Sequence, residues 1–139
     1  MIKILKYQKV TDQYTTHCLV APDYNIDDTG RITEHCTVDG WTYITVPDGV
    51  VLPEQPEIIS ATLTEINFED EPEAKDIINE VSPHIQLIND RVVEKIRLLY
   101  SINDEIKMLR VGGADFEAYN TYVEECRAWG RAEKAKLGL

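Results

Sequence analysis

The chain has few basic residues for its number of acidic ones, and this imbalance limits its partners. Among 139 residues, 14 are lysine or arginine and 25 are aspartate or glutamate, so the formal net charge is −11 at pH 7. The phosphates of a nucleic acid would repel such a chain unless a local basic patch overcame the field. We therefore expect no nucleic-acid partner.

Long apolar runs and paired cysteines are also missing. No stretch approaches the ~20 apolar residues of a membrane-spanning helix, and the lysine-interrupted start MIKILK does not resemble a signal peptide. We therefore expect that the protein does not associate with a membrane and that it is made in a cytoplasm. Cys18, Cys36 and Cys126 are an odd number in a chain whose 43% apolar content suffices for a core, so we expect reduced thiols.

Recognisable catalytic and cofactor motifs are missing as well. Gly112-Gly113 lacks the lysine and the preceding strand of a phosphate-binding loop. The neighbouring carboxylates Asp27-Asp28 and Glu124-Glu125 lack the alternating spacing of a calcium loop and are typical of a solvated face. We therefore predict no catalytic residue, no cofactor and no metal ligand.

What the sequence does contain predicts an α+β fold, and its first half is a small antiparallel β module over residues 1–66. Short runs of β-forming residues are separated by turn chemistry there. Asp39-Gly40 is the preferred pair for a type I′ hairpin turn, and the even spacing of Ile59, Ala61 and Leu63 is typical of a strand. The predicted strands cover residues 1–10, 14–20, 32–38, 41–46 and 58–66.

The second half is predicted to be helical. Residues 67–73 are acidic and contain Pro72, and beyond them the apolar period changes from two to 3.6, so we predict an acidic hinge at 67–73 and a helical lobe at 74–139. Ser82 and Asp115 are expected N-caps, with Pro83 at a first helical position. The predicted helices cover residues 74–81, 83–100, 102–110 and 116–136.

Two of these helices carry apolar stripes that we expect to pack together as a helical hairpin or small bundle. The longest stripe has the spacing i, i+3, i+7, i+11 and i+14, with charged residues largely off it. The glycine-containing connection before residue 114 lets the last helix turn back toward it. The first stripe consists of Ile85, Ile88, Val92, Ile96 and Leu99, and the second consists of Phe116, Tyr119, Val123 and Cys126.

Two His-Cys pairs lie on predicted strands and offer an alternative, chemical reading. His17-Cys18 and His35-Cys36 supply four side chains of the kind that bind zinc, or a cysteine beside a histidine base. Adjacent strand residues point to opposite faces, so a register pairing Cys18 with His35 would place only two ligands on each face. A small zinc-binding or thiol-dependent enzyme therefore stays the alternative, and ordinary sheet residues are the simpler interpretation.

The last helix has the composition of a contact surface. Tyr119, Tyr122, Trp129 and Arg131 are of the types that anchor protein interfaces. The basic residues near its end have two interpretations, since they complement the helix dipole and could also dock on an acidic partner. These basic residues are Arg127, Arg131, Lys134 and Lys136.

Three pieces of the helical half look familiar together. They are SPxxQLINxRV at residues 82–92, YSxxDEIxxLR at residues 100–110 and ExRxWGxxEK at residues 125–134. They resemble the C-terminal halves of small proteins encoded among the tail and tail-fibre genes of tailed bacteriophages and prophages, and GWTYITVPDG at residues 40–49 has a similar character. The resemblance implies a role in the virion or in tail assembly, and it transfers no catalytic residue.

Together these observations predict a non-enzymatic protein that acts by protein–protein contact. The resemblance implies that it is an adaptor or structural component of a phage tail, or an assembly chaperone for a tail or fibre protein. We expect other tail or fibre proteins as partners, a homo-oligomer, and a location in the virion tail or in the cytoplasm of the infected bacterial host.

Overall fold

The fold is α+β, as the sequence predicts: a small antiparallel sheet is followed by helices. It is seen in a computed structural model that describes residues 1–22 and 30–139. No helix in these two ranges is both long and apolar enough to cross a membrane. The strands are β1 (Lys3–Gln8), β2 (Val10–Thr11), β3 (Thr16–His17), β4 (Thr33–Val38), β5 (Trp41–Val46) and β6 (Thr64–Ile66), and the helices are α1 (Glu57–Ser60), α2 (Pro72–Val81), α3 (Pro83–Leu99), α4 (Ile102–Val111) and α5 (Ala114–Lys136).

The main sheet has the order β4-β5-β1-β6, and every neighbouring pair is antiparallel. The β4–β5 hairpin is confirmed, because Asp39 and Gly40 both have the positive φ angles, 51° and 83°, that a type I′ turn requires. The pairing passes from Glu34 directly to Cys36, which leaves His35 as the extra residue of a β-bulge. A bulge redirects a side chain, and His35 is buried.

Two predicted strands are wrong in extent. Within residues 14–20 only β3 is extended, and it pairs with β2 in a separate ribbon, because Asp12 closes a turn by accepting bonds from the amides of Tyr14 and Thr15. The predicted strand at residues 58–66 begins instead as α1 and becomes extended only at β6. Ile59 and Leu63 are four residues apart, a spacing that fits a helical turn as well as a strand.

All four predicted helices match the observed ones to within two residues, whereas the two predicted caps differ. α2 begins earlier than predicted, with Pro72 in its first turn. Ser82 lies at the N-cap of α3, but its side chain does not cap that helix. The prediction of Asp115 as a cap is wrong, because α5 already begins at Ala114 and its N-cap is Gly113. Glycine suits that position since Gly113 has a φ of 83°.

The two faces of the sheet are covered by different elements. One core cluster combines strand residues with residues of α2 and α3, so the sheet and the helices share it. The other cluster lies beneath α1, whose Ile59 is completely buried. The first cluster contains Ile4, Tyr43, Ile66, Ala74, Ile78, Ile85 and Ile88; the second contains Leu5, Tyr7, Ile44, Val46 and Ile59.

The apolar stripe of α3 is buried only in its first half. Ile85 and Ile88 belong to the shared core, whereas Val92 and Ile96 are partly buried against α5 and neighbouring residues. Leu99 is 62% exposed, so its predicted burial is wrong. The cause is geometric: α3 reaches the sheet with its first turns, and its later turns depend on α5 for cover.

Candidate interaction surface

Helix α4 presents most of its apolar residues to solvent. All ten of its residues are described and none is buried. Ile102, Ile106 and Leu109 have the spacing i, i+4 and i+7, so they form one face of the helix, and they are 62%, 50% and 69% exposed. We call these three residues the α4 stripe. Leu98, just before it in the chain, is 80% exposed.

The α4 stripe stays exposed because the helix contacts its neighbours through Glu105, which lies at the edge of the stripe. The carboxylate of Glu105 accepts a hydrogen bond from the Tyr119 hydroxyl of α5 at 2.8 Å and pairs with Arg97 of α3 at 2.8 Å. The Arg97 guanidinium and the Tyr119 hydroxyl lower the pKa of Glu105, so this carboxylate stays ionised and bonded. These contacts fix α4 to its neighbours without burying the stripe.

A capping box allows α4 to form with so little burial. The Ser101 hydroxyl accepts a bond from the Asp104 amide at 3.1 Å, and the Asp104 carboxylate accepts one from the Ser101 amide at 2.9 Å. The bonds from Ser101 lower the pKa of Asp104. Such reciprocal bonds satisfy two amides that the first turn would otherwise leave without partners. The capping box therefore stabilises a helix although no other part of the described chain buries its apolar face.

The four predicted contact residues of α5 do not form one surface. The ring of Tyr119 packs edge-to-face and that of Tyr122 packs tilted against Tyr100, with centroids 5.0 and 5.8 Å from it, and both hydroxyls are bonded within the chain. Trp129 is partly buried against the shared core, and the ammonium of Lys95 lies 4.5 Å from its ring centroid.

Tyr122 and Trp129 line one small pocket together with Leu98, whereas Arg131 lines another pocket. Arg131 is the exposed member of the four, and its guanidinium lies 3.9 Å from Glu124. The role of these four residues in partner binding stays a prediction, because their positions do not identify a partner.

The two His-Cys pairs lie in different sheets, so the register considered for them is wrong. His17 lies in β3 and pairs with Val10, whereas His35 and Cys36 lie in β4 and its partner is β5. His17 is hydrogen-bonded to the Asp12 carboxylate at 3.0 Å. Within residues 1–22 and 30–139, no three side chains of metal-ligating type are grouped so that they could hold an ion.

His35 is instead part of a buried hydrogen-bonded chain. Its Nε2 lies 2.6 Å from Thr45 Oγ1 and its Nδ1 lies 2.8 Å from Ser82 Oγ. The Thr45 hydroxyl donates to the carbonyl oxygen of Leu137 at 2.7 Å, so Thr45 must accept from a protonated Nε2. Nδ1 of the neutral ring then accepts from Ser82. Because both ring nitrogens are used, His35 has no free nitrogen for a metal or for a nucleophile.

The cysteines also differ in environment. Cys18 is exposed, Cys36 is partly buried against the shared core and Cys126 is buried. Burial, with a smaller effect of Glu34, raises the pKa of the Cys36 thiol. A reactive cysteine needs the opposite, a lowered pKa. The arrangement around Cys36 therefore favours a packing role.

Comparison of the chain with protein-family models, with curated proteins and with solved structures found no match. The α4 stripe is not among the contact residues predicted from the sequence, although the helical spacing of Ile102, Ile106 and Leu109 carries its signal. A period reveals that residues share a face and does not reveal whether another element covers that face.

Proposed function

We propose that this protein is non-enzymatic and acts by protein–protein contact, with the α4 stripe as its contact surface. The observation that carries the proposal is the exposure of three large aliphatic side chains on one face of a helix that the chain itself holds in place. Grouped apolar exposure of this kind is typical of surfaces that another molecule covers. An amphipathic helix face fits a complementary apolar groove or helix on a partner.

The proposed setting is the tail of a bacteriophage or prophage, either within the virion or during assembly in the infected bacterial cell. This assignment is supported by the resemblance of residues 82–92, 100–110 and 125–134 to small tail-associated proteins. These three motifs lie on or directly before α3, α4 and α5, the helices that hold and display the stripe. The partners are then other tail or fibre proteins and further copies of this chain.

Self-association follows from the proposed setting, because tail components surround a symmetric tube. A stripe with the spacing of Ile102, Ile106 and Leu109 is self-complementary in an antiparallel pair, where Ile102 meets Leu109 of a second copy and Ile106 meets Ile106. Three side chains alone cover less area than a stable interface needs. Leu98 and Leu99, at the end of α3 just before α4 in the chain, are also exposed and offer further apolar area to a partner.

The first test is a paired substitution in the stripe. Ile106→Glu with Leu109→Lys introduces two opposite charges, keeps the net charge and changes only exposed positions, so we expect a folded protein. Light scattering should report a multimer for the wild type and a smaller mass for the variant. A pull-down from a lysate producing the phage that encodes the chain should recover an identified tail or fibre protein with the wild type only.

The matched control makes the same kind of change elsewhere. Tyr14→Lys with Val51→Glu replaces two apolar residues that are 89% and 81% exposed in the β half. We expect this control to behave like the wild type in both measurements. A monomeric wild type that recovers no tail or fibre protein would refute the proposed function, and equal behaviour of the stripe variant would refute the assignment of the surface.

A further inference from the structure

A second surface, separate from the α4 stripe, lies between α3 and the second half of α5. It is an open pocket of about 250 Å³. The pocket has an apolar floor, and its rim consists of polar and basic residues. The lining residues are Asn89 and Val92 of α3 and Arg127, Gly130, Arg131 and Lys134 of α5. We call it the basic pocket.

Gly130 explains why this pocket has an apolar floor. A Cβ atom added at Gly130 would lie 2.6 Å from Cγ2 of Val92, far inside van der Waals contact. The two helices therefore approach closely here, and the bottom of the pocket consists of the Val92 methyls and glycine backbone. Arg127, Arg131 and Lys134 have the spacing i, i+4 and i+7, so they follow one face of α5 along the pocket.

The positive charge of the pocket exceeds what the chain neutralises. Glu124 lies 3.1 Å from Arg127 and 3.9 Å from Arg131, so one carboxylate is shared by two of the three cations. Within the described residues, no ion pair involves Lys134, because the nearby Glu133 pairs with Lys136 at 2.8 Å. A chain with a net charge of −11 thus places an uncompensated cationic group at one defined site.

The helix dipole does not account for this arrangement. Lys134 and Lys136 lie in the last turn of α5, where cations complement the carbonyl ends. Arg127 and Arg131 precede that turn, and the effect of the dipole decays within a single turn. The dipole therefore does not explain the two arginines, which share the single carboxylate of Glu124 and lie at the rim of the pocket.

We propose that the basic pocket binds a glutamate or aspartate side chain of an acidic protein segment. The guanidinium groups of Arg127 and Arg131 match a carboxylate with paired donors. Lys134 adds a third cation, the amide of Asn89 offers a further donor, and the Val92 floor suits the methylenes of a glutamate. This site extends the set of surfaces beyond the α4 stripe and does not depend on it.

An acidic peptide fits the site better than a nucleic acid does. Three cations and one resident carboxylate leave a small local excess of charge, which one or two carboxylates satisfy. A nucleic acid would bring a continuous row of phosphates against a chain that is strongly negative overall, and that repulsion grows with the length of the strand. A short acidic segment meets the pocket and little else of the negative surface.

The test is a chemical-shift titration of the isotope-labelled chain with a hexaglutamate peptide at low salt. We expect shifts confined to Asn89, Val92 and residues 127–134, and weaker binding as salt rises, since exposed cations are screened.

Arg131→Gln with Lys134→Gln should weaken binding about fivefold or more, the sum of two exposed ion pairs. Asn89→Asp keeps every cation, adds a carboxylate to the pocket and should also weaken binding.

The matched control removes two cations elsewhere. Lys75→Gln with Lys107→Gln makes the same change in net charge at exposed positions outside the pocket, and we expect its affinity to stay within about twofold of the wild type. Equal losses in control and pocket variants, or no shifts with the peptide, would overturn the proposal. So would tighter binding of a single-stranded oligonucleotide of equal charge. These outcomes are independent of the α4 stripe, which the light-scattering test reports.

Discussion

At the scale of single residues, His35 connects its own strand to three other parts of the chain. It lies on a bulge of β4, and its ring nitrogens are hydrogen-bonded to Thr45 of β5 and to Ser82 before α3. The Thr45 hydroxyl in turn donates a hydrogen bond to the carbonyl oxygen of Leu137 after α5. Each donor in this buried chain has one acceptor, so the arrangement specifies a neutral ring. Burial, with a smaller contribution from His84, lowers the pKa of His35 from 6.5 to about 4.

The lowered pKa predicts a loss of stability in mild acid. Above pH 6.5 the ring is neutral in both the folded and the unfolded chain, and His35 adds no pH dependence. As the pH falls from 6.5 toward 4, His35 becomes protonated in the unfolded chain but stays largely neutral in the folded chain. The free energy of unfolding therefore decreases. Each tenfold difference in proton affinity is worth about 1.4 kcal/mol, which makes the total loss about 3 kcal/mol.

Denaturant unfolding at several pH values checks this prediction. His35→Gln should flatten the decrease between pH 6.5 and 4, whatever its effect on stability at neutral pH. An NMR titration of the wild-type ring gives an independent reading, because the ring should stay neutral at pH 5. A His35 pKa near 6.5 in the folded protein would contradict the assignment.

A second prediction compares two isoleucines of the α3 stripe. Ile85 is completely buried in the shared core, whereas Ile96 is only partly buried. Ile85→Ala should lower the free energy of unfolding by about 2–5 kcal/mol, the usual cost of a large-to-small change in a core. Ile96→Ala should cost clearly less, because water and neighbouring side chains occupy part of the space. Chemical denaturation of both variants measures the difference, and equal costs would mean that α3 is covered along its whole length.

At the scale of elements, local chemistry determined which parts could be predicted. The β4–β5 hairpin follows from Asp39-Gly40, because two neighbours in the chain impose the turn and hence the register. The stretch at residues 58–66 could not be resolved this way. The spacing of Ile59 and Leu63 fits a helix as well as a strand. The helix forms because Pro56 lies at its N-cap and because the core buries Ile59.

The surfaces were less predictable than the elements that carry them. Arg127, Arg131 and Lys134 are visible in the sequence as a basic run, but the pocket they line exists only because Gly130 lets α3 approach α5. The outward orientation of the α4 stripe depends on Glu105, which binds residues 8 positions before and 14 positions after it in the chain. Such pairings leave no periodic signal.

At the scale of the whole molecule, the sheet and the helices are joined by one core. Strand residues Ile4 and Tyr43 and helix residues Ile78 and Ile85 belong to the same cluster. The segment 67–73 takes part in this contact, since Phe68 packs on that cluster and Glu71 pairs with Lys6 at 2.9 Å. Whether residues 67–73 act as a hinge stays a prediction, but the packing favours sheet and helices that unfold together.

Joint unfolding is therefore the last prediction. In a Trp129→Phe variant the remaining tryptophan, Trp41 of β5, reports on the sheet, while far-UV circular dichroism reports mainly on α3 and α5. The two signals should give one midpoint in denaturant, because loss of either layer exposes the core of the other. Ile78→Ala should move both midpoints by the same amount, since Ile78 is completely buried between the layers. Separate midpoints would show that the acidic segment at residues 67–73 divides two independently stable parts.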